Sequence, residues 1–180
     1  MSESVVRHNR SLHSRQRSDC LAEIMANRYG ETMAEILFYH LETRPLEAVV
    51  PQLLEKTLER GWRAVVEVGS LERAEALDAH LWTYRDDSFL AHGLAGEETD
   101  AHQPILLTTE NDNPNGAAVR FFVDRAVPKS GEGYERLVYL FSGLDPDAVA
   151  EAREAWRQLR DGNAVTYWQQ TPEGRWVKKA

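Results

Sequence analysis

Apolar residues along the chain fall alternately into runs of strand length and runs with helical spacing. Residues 35–41 form a mostly apolar run with the length of a buried strand. Residues 46–58 carry apolar side chains at helical spacing and stop at Gly61, and Pro51 must either lie in the first turn of this helix or kink it. Residues 62–68 predict a second strand. The chain therefore opens with a β-α-β pattern.

Two further helices are predicted from capping residues at their starts. Ser70 can cap a helix whose predicted inward-facing residues are Leu71, Ala74, Leu77 and Leu81. Asp145, Pro146 and Asp147 combine a capping side chain, a proline at the first helical position and an acid in the first turn, and this helix ends near Gly162. Four more short apolar runs predict strands: residues 105–108, 119–123, 137–141 and 164–169.

The alternation of strands and helices predicts the fold class. Consecutive β-α units place their strands in parallel and their helices on both faces of the sheet, so we expect a three-layer α/β fold with a mostly parallel sheet. One domain is predicted for residues 33–180. Residues 1–32 are mostly polar, which predicts either a disordered or weakly helical N-terminal extension or an upstream start choice.

The composition excludes several functional classes. A formal net charge of -8 and a pI near 5.3 argue against a broad phosphate-binding surface, so any contact with DNA is expected to be indirect. Cys20 is the only cysteine, so neither an intramolecular disulfide nor a cysteine-based zinc site can form. No apolar stretch approaches the roughly 20 residues that cross a bilayer, and the first residues lack the apolar middle of a secretory signal. We therefore expect no membrane insertion and a cytoplasmic location.

The turn between the first strand and the first helix is where a nucleotide binds in this architecture, on a glycine-rich loop. Here residues 40–45 read HLETRP, with no glycine, no P-loop lysine and an acid where a phosphate would lie. Neither the Rossmann fingerprint nor a Walker motif is present. The predicted fold is therefore Rossmann-like but lacks a nucleotide-binding loop, and we expect no cofactor.

The sequence contains no motif for a metal site or for a catalytic nucleophile. His40, His80, His92 and His102 lack the spacing of metal ligands and are predicted to be surface or core histidines. The chain contains no Gly-x-Ser-x-Gly nucleophile elbow. We therefore expect no catalytic residue and no metal site. The alternative that stays open is a small α/β enzyme that uses the acidic residues 97–100 with His92 or His102.

Two segments carry candidate binding residues. In the helix after Asp145, Arg153, Arg157 and Arg160 form a stripe beside Trp156, which predicts an apolar anchor and a clamp for a carboxylate or acidic segment. The alternative is an ordinary amphipathic helix with a solvated basic face and a core tryptophan. In residues 81–89, Trp and Phe side chains lie at a helix end and along a polar loop, where they either form an interface or fold back over the core.

Residues 77–97 resemble the LDxxLWxxxxxSFxxHxLAGE segment of the chi subunits of bacterial DNA polymerase III. The first strand, the entry to the second strand at residues 61–66, and residues 152–157 also resemble chi elements. The resemblance covers about residues 34–168. It implies an α/β fold related to nucleotide-binding domains but without a nucleotide, in a non-catalytic subunit of the DNA-directed DNA polymerase III holoenzyme.

The resemblance also implies partners and site residues. A chi subunit pairs with the psi subunit of the clamp loader and binds the acidic C-terminal tail of single-stranded DNA-binding protein during DNA replication. The psi contact corresponds to Trp82 and Phe89. The tail site corresponds to Arg153, Trp156 and Arg157, with Trp156 in place of a family tyrosine. Val149 replaces a basic residue of better-known members, so the clamp is either weaker or relies on Arg160, and Phe141 is expected to wall the pocket.

Overall fold

The computed structural model describes residues 34–128 and 133–180, and these ranges contain eight strands and three α-helices. The helices are α1 (Leu46–Glu59), α2 (Leu71–Thr83) and α3 (Pro146–Leu159), and a single 3₁₀ turn covers Asp100–His102. The strands are β1 (Glu35–Leu41), β2 (Ala64–Val68), β3 (His92–Leu94), β4 (Ile105–Thr108), β5 (Val119–Val123), β6 (Arg136–Ser142), β7 (Ala164–Gln170) and β8 (Trp176–Lys178). The predicted extension at residues 1–32, with Cys20, lies outside the described residues.

The strands form one sheet in the order β3-β4-β2-β5-β6-β1-β7-β8. Every neighbouring pair is parallel except β7 and β8, which are antiparallel. The connections through α1 and α2 run toward the β3 edge, whereas the connection through α3 runs toward the β8 edge. Because parallel crossovers are right-handed, the opposite directions place α3 on the other face from α1 and α2. The predicted three-layer, mostly parallel α/β fold is confirmed.

Each face of the sheet has its own apolar core. Residues that alternate along a strand point to opposite faces, so Leu37 joins the cluster that contains Val50 and Leu77 of α1 and α2. Phe38, the next residue of β1, joins the second cluster, in which α3 buries three alanines: Ala148, Ala152 and Ala155. The two clusters hold β1 and β6 in the middle of the structure, where their carboxyl ends support the candidate site.

Pro51 lies inside α1, one turn beyond the first. Of the two alternatives that the sequence left open, the first-turn position is therefore excluded. A proline inside a helix cannot donate a hydrogen bond to the carbonyl four residues earlier, which here belongs to Glu47. That carbonyl oxygen instead lies 2.9 Å from Nε2 of His80 on α2. The neighbouring helix thus supplies the hydrogen bond that Pro51 removes.

Three further details differ from the sequence prediction. Leu71, expected to face inward, is 62% exposed. At about 100° per residue it lies roughly 90° from the centre of the buried stripe of α2. The short strands β3 and β8 were not predicted, because three residues give no measurable alternation. The sequence of residues 93–97 predicts a plain turn, because it follows no predicted strand, but Gly93 lies within β3.

Candidate functional site

The turn between β1 and α1 is closed by a side chain from β7. The backbone N-H groups of Glu42, Thr43 and Arg44 all donate to Oε1 of Gln170, at 3.1, 3.0 and 3.0 Å. Converging N-H groups of this kind bind phosphate in nucleotide-binding loops. Gln170 is only 2% exposed, so its amide oxygen occupies the place that an anion would take. This internal bond gives a physical reason for the turn to lack a glycine-rich sequence.

A cleft of about 400 Å³ lies beside this turn, at the carboxyl ends of β1 and β6. One of its cations, Arg125, is neutralised by Asp145 at 3.1 Å and Glu151 at 2.5 Å. The backbone of Asp124 and Arg125 has positive φ angles of 47° and 74°. This turn packs tightly on Gly69, where an added Cβ would lie 2.2 Å from the carbonyl oxygen of Asp124. Four carboxylates and two arginines line the cleft, so it carries no excess of positive charge.

The cationic stripe of α3 is present as predicted from the sequence spacing. Asp145 caps this helix by accepting from the N-H groups of Asp147 and Ala148, at 2.9 and 3.3 Å. Arg153, Arg157 and Arg160 are all exposed. Arg157 pairs with Glu154 at 2.7 Å and Arg160 lies 3.5 Å from Asp161. Arg153 has no carboxylate within ion-pair distance among the described residues.

An aromatic cluster lies between this stripe and the sheet. Trp156 packs edge-on against Phe38 and Tyr167, with ring centroids 5.3 and 5.9 Å apart. Tyr167 is also 6.3 Å from Phe141. The structure thus brings Trp156 and Phe141 together through Tyr167. Trp156 is half-buried: part of its ring packs against the apolar core and part remains exposed.

His40 completes this cluster. Its ring stacks on Phe141 at 5.0 Å, and its Nδ1 lies 2.8 Å from the Tyr167 hydroxyl. Its Nε2 is buried and has no hydrogen-bond partner among the described residues. The close approach of the backbone requires glycine at position 143, where an added Cβ would lie 2.0 Å from this nitrogen.

The positive charge of Arg153 affects the pKa of both His40 and Tyr167. Burial lowers the pKa of His40 and Arg153 lowers it further, while Glu42 at 3.7 Å raises it. Burial raises the pKa of Tyr167, and Arg153 opposes this shift. Both rings are therefore neutral at physiological pH. We call Arg153, Arg157, Arg160, Trp156, Tyr167, His40 and Phe141 the α3 face.

Sequence reasoning missed His40 and Tyr167 as members of this site. The period of two along β1 and β7 places His40 on the same face as Phe38, and the register pairs Phe38 with Tyr167. Once α3 is assigned to that face, the alternation along β1 would have found His40, whereas Tyr167 also requires the register. The sequence alone does not give the register.

The other predicted interface residues, Trp82 and Phe89, lie together at the β3 side of the sheet. Their ring centroids are 5.9 Å apart, and the two side chains are 55% and 72% exposed. Trp82 rests on His92, 4.8 Å away, which is buried and bonded through Nδ1 to the carbonyl oxygen of Leu90 at 2.6 Å. The two aromatic rings, named here the aromatic pair, thus form an exposed apolar surface that contacts the buried His92 through Trp82.

The residues of the enzyme hypothesis make structural contacts. Asp100 accepts hydrogen bonds from the N-H groups of Gly96 and Glu97 at 2.8 and 3.1 Å, and His92 supports the aromatic pair. Within residues 34–128 and 133–180, no three His, Cys, Asp or Glu side chains are grouped closely enough to hold a metal ion. In the same part of the chain, no helix has the length and apolar character needed to cross a membrane.

Comparison with known proteins assigns the family. The family model described as DNA polymerase III chi subunit, HolC, matches residues 33–166. The probable DNA polymerase III subunit chi of Rickettsia prowazekii (strain Madrid E) is 31% identical over 87 residues, which are 48% of this chain and 53% of that relative. The chain thus spans about half the length of this curated relative. Because the family match covers most of the sequence, the chain belongs to the DNA polymerase III chi subunit family, a component of DNA replication.

Proposed function

We propose that this chain is a non-catalytic adaptor of DNA polymerase III in the cytoplasm. Its α3 face binds the acidic C-terminal tail of single-stranded DNA-binding protein. Its aromatic pair binds the psi subunit of the clamp loader. By holding both partners, the chain links the clamp loader to DNA that is coated with single-stranded DNA-binding protein.

One observation carries the tail-binding proposal. Arg153 is an exposed cation without a carboxylate partner among the described residues, and it lies beside a half-buried aromatic cluster. Guanidinium groups form strong charge-assisted hydrogen bonds with carboxylates, and an apolar cluster takes a hydrophobic side chain of the same peptide. Arg157 and Arg160 have only exposed ion pairs, which are worth about 0–1 kcal/mol and are easily exchanged for a new carboxylate.

The psi proposal is supported by the exposure of the aromatic pair. Exposed aromatic rings on a rigid support are typical of interface hot spots. Trp82→Ser and Phe89→Ser should weaken psi binding by about tenfold or more each, the usual size of a hot-spot effect. Thermal stability should change little, because both rings are mostly solvent-exposed. Calorimetry with purified psi, together with a melting curve for each variant, measures both quantities.

The tail-binding proposal is tested by isothermal titration calorimetry with a peptide of the cognate acidic tail. We expect one-to-one binding that weakens as salt rises, because the arginine contacts are screened. Arg153→Ala should weaken it by about 10- to 100-fold, the usual range for a lost charged hydrogen bond. Trp156→Ala should also abolish or greatly weaken it through loss of the anchor.

Arg73→Ala provides the matched control. Arg73 is an exposed arginine on α2, so its removal lowers the net charge by the same amount without touching the α3 face. Binding should be unchanged in this variant. The tail-binding proposal fails if the folded intact chain binds no peptide, or if Arg153→Ala and Arg73→Ala behave alike.

A further inference from the structure

A second groove lies on the face of the sheet opposite α3. It runs between α1 and the strands β1, β7 and β8 and has a volume of about 350 Å³. Its floor contains Tyr39, Trp168 and Trp176, and its sides carry four cations: Arg44, Lys56, Arg60 and Arg136. Among the described residues, no Asp or Glu lines it. In a protein with a net charge of -8, this groove is a local concentration of positive charge.

The aromatic floor is fixed in place by the sheet. Tyr39 and Trp168 are paired on neighbouring strands, and their rings are stacked with centroids 6.5 Å apart and an interplanar angle of 16°. Trp176 meets Tyr39 edge-on at 4.7 Å. The Trp168 indole donates to the Thr166 hydroxyl at 3.2 Å, which orients the ring. All three rings are half-buried, so each keeps part of its surface open to the groove.

The cations extend along the groove rather than gather at one point. Lys56 and Arg60 are four residues apart on α1 and therefore lie on one side of this helix. Arg44 follows the carboxyl end of β1, whereas Arg136 begins β6, beside the amino end of β1. At about 3.3 Å per residue, the seven residues of β1 separate these ends by roughly 20 Å.

Three of the four cations lack a carboxylate partner among the described residues. Arg44 donates to the Gln52 side chain at 3.3 Å and to the Ala48 carbonyl at 3.1 Å, both of which are neutral. Arg60 lies over the Trp62 ring at 5.6 Å. Only Arg136 pairs with an acid, Glu35, through its Nε at 2.8 Å. Most of the positive charge of the four groove cations is therefore not neutralised by the described part of the protein and can interact with a ligand.

We propose that this groove binds single-stranded nucleic acid, with phosphates on the row of cations and bases stacked on Trp168 and Trp176. Aromatic platforms beside a positive groove are the usual means of binding single strands. An acidic peptide fits less well, because its backbone N-H and C=O groups need polar partners. Apart from the cations, the polar lining includes Gln52, which already accepts from Arg44, and Thr57, which already donates to Leu53. A direct contact with a single strand goes beyond the adaptor function proposed above.

Fluorescence anisotropy with a labelled oligothymidylate of about 15 nucleotides tests this proposal, since single-strand sites commonly cover 4–16 nucleotides. The intact chain should bind it at low salt. With three to four phosphates neutralised, the affinity should fall by roughly 20- to 50-fold between about 50 and 200 mM salt. Tryptophan fluorescence should be quenched at the same time, because Trp168 and Trp176 stack with bases.

Charge reversal identifies the site. Lys56→Glu combined with Arg60→Glu should abolish binding at the lower salt, and these exposed positions on α1 can be changed without disturbing the core. Trp168→Ala should weaken binding by about 5- to 100-fold, the usual range for one lost stacking contact. Lys179→Glu reverses an exposed cation that does not line the groove, and it should leave most of the affinity.

Two results would overturn this proposal. One is the absence of binding by the folded intact chain at about 100 µM protein, the weak end of ordinary non-specific affinity. The other is unchanged binding after reversal of Lys56 and Arg60. In the first case, an acidic peptide that occupies the groove and quenches Trp168 would show that the ligand class is wrong. The calorimetric test at the α3 face is independent of all these outcomes, because it uses another ligand and other residues.

Discussion

Two arginines show how differently two regions of this molecule use the same side chain. Arg120 on β5 is 1% exposed and saturated with partners inside the protein. It donates hydrogen bonds to the Glu67 carboxylate, the Tyr134 hydroxyl and the carbonyl oxygens of Glu110 and Asp112. Arg153 on α3 is exposed and has no carboxylate partner among the described residues. The first arginine is part of the folded core, and the second is available to a ligand.

The same contrast separates the β1–α1 turn from the α3 face. At the β1–α1 turn, three backbone N-H groups are arranged as in a phosphate-binding site, and all three donate hydrogen bonds to Gln170. At the α3 face, charges and aromatic rings remain open. The turn at which doubly wound α/β folds bind nucleotides is thus closed by the chain's own side chain, whereas the arginines of α3 remain exposed. Substitutions that remove a hydrogen-bond partner inside the protein, or that add a charge to the α3 face, test this contrast.

The largest expected effect is at Arg120. Arg120→Met leaves the buried Glu67 carboxylate without its partner, which should lower the free energy of unfolding by about 3–5 kcal/mol. Urea denaturation measures the loss. A double variant, Arg120→Met with Glu67→Met, should recover most of it, because no buried charge then remains. A loss below about 1 kcal/mol, as for an exposed ion pair, would show that this arginine is not structural.

The next effect concerns the closed turn. Gln170→Ala removes the acceptor of three N-H groups and should lower the free energy of unfolding by about 1–3 kcal/mol. Gln170→Glu keeps an acceptor oxygen in the same place and should recover most of the loss at neutral pH. Gln169→Ala, at a half-buried neighbour with one exposed bond to Glu42, is the matched control and should cost less. Equal losses at positions 169 and 170 would contradict this account.

His40 is an intermediate case, because only one of its ring nitrogens has a partner. Burial lowers its pKa in the folded protein, so the unfolded chain takes up a proton first as the pH falls below the ordinary value of about 6.5. The contribution of neutral His40 to the free energy of unfolding should therefore be complete above that pH and should be lost as the pH falls below it. His40→Asn keeps a group near Nδ1 for Tyr167 but cannot titrate in this range.

Denaturation curves between pH 7 and about pH 5 measure this dependence. The loss of stability on acidification should be smaller in His40→Asn than in the natural chain, whatever the difference in absolute stability. The other histidines are the same in both proteins, so they do not contribute to the difference between them. Identical pH dependence in both proteins would remove His40 as a cause of the acid sensitivity.

The smallest effect is expected when a cation is added to the α3 face. Val149 lies one turn before Arg153 and is half-buried. Val149→Lys places an ammonium group beside Arg153 while the aliphatic stem keeps the packing. We expect peptide binding to strengthen by about two- to fivefold at low salt, the scale of an exposed charge pair. Val149→Met, a neutral control of similar length, should leave the calorimetric affinity unchanged, and equal gains in both variants would exclude an electrostatic cause.

Local sequence signals predicted much of this structure. The cap and first turn of α3 follow from Asp145, Pro146 and Asp147, and the spacing of Arg153, Arg157 and Arg160 gives their common side of the helix. These features depend on residues within a few positions of one another. The parallel sheet likewise follows from the alternation of elements.

The missing features depend on contacts between distant residues. Gln170 meets Thr43, 127 residues away in the sequence, and no local pattern indicates that bond. His40 and Tyr167 join the site through the strand register, and the aromatic groove requires β8, whose three residues are too few to show alternation. The roles of these residues are determined by tertiary contacts rather than by local secondary-structure propensity.

Tryptophan indole signals in a ¹H-¹⁵N NMR spectrum test the central claim most directly. Four of the chain's five tryptophans report separately on the α3 face (Trp156), the aromatic pair (Trp82) and the groove (Trp168 and Trp176). We predict that the acidic tail peptide shifts the Trp156 signal, assigned through Trp156→Phe, and leaves the Trp82 signal in place. A shift confined to Trp82 or to the groove tryptophans, or no shift at all, would contradict tail binding at the α3 face.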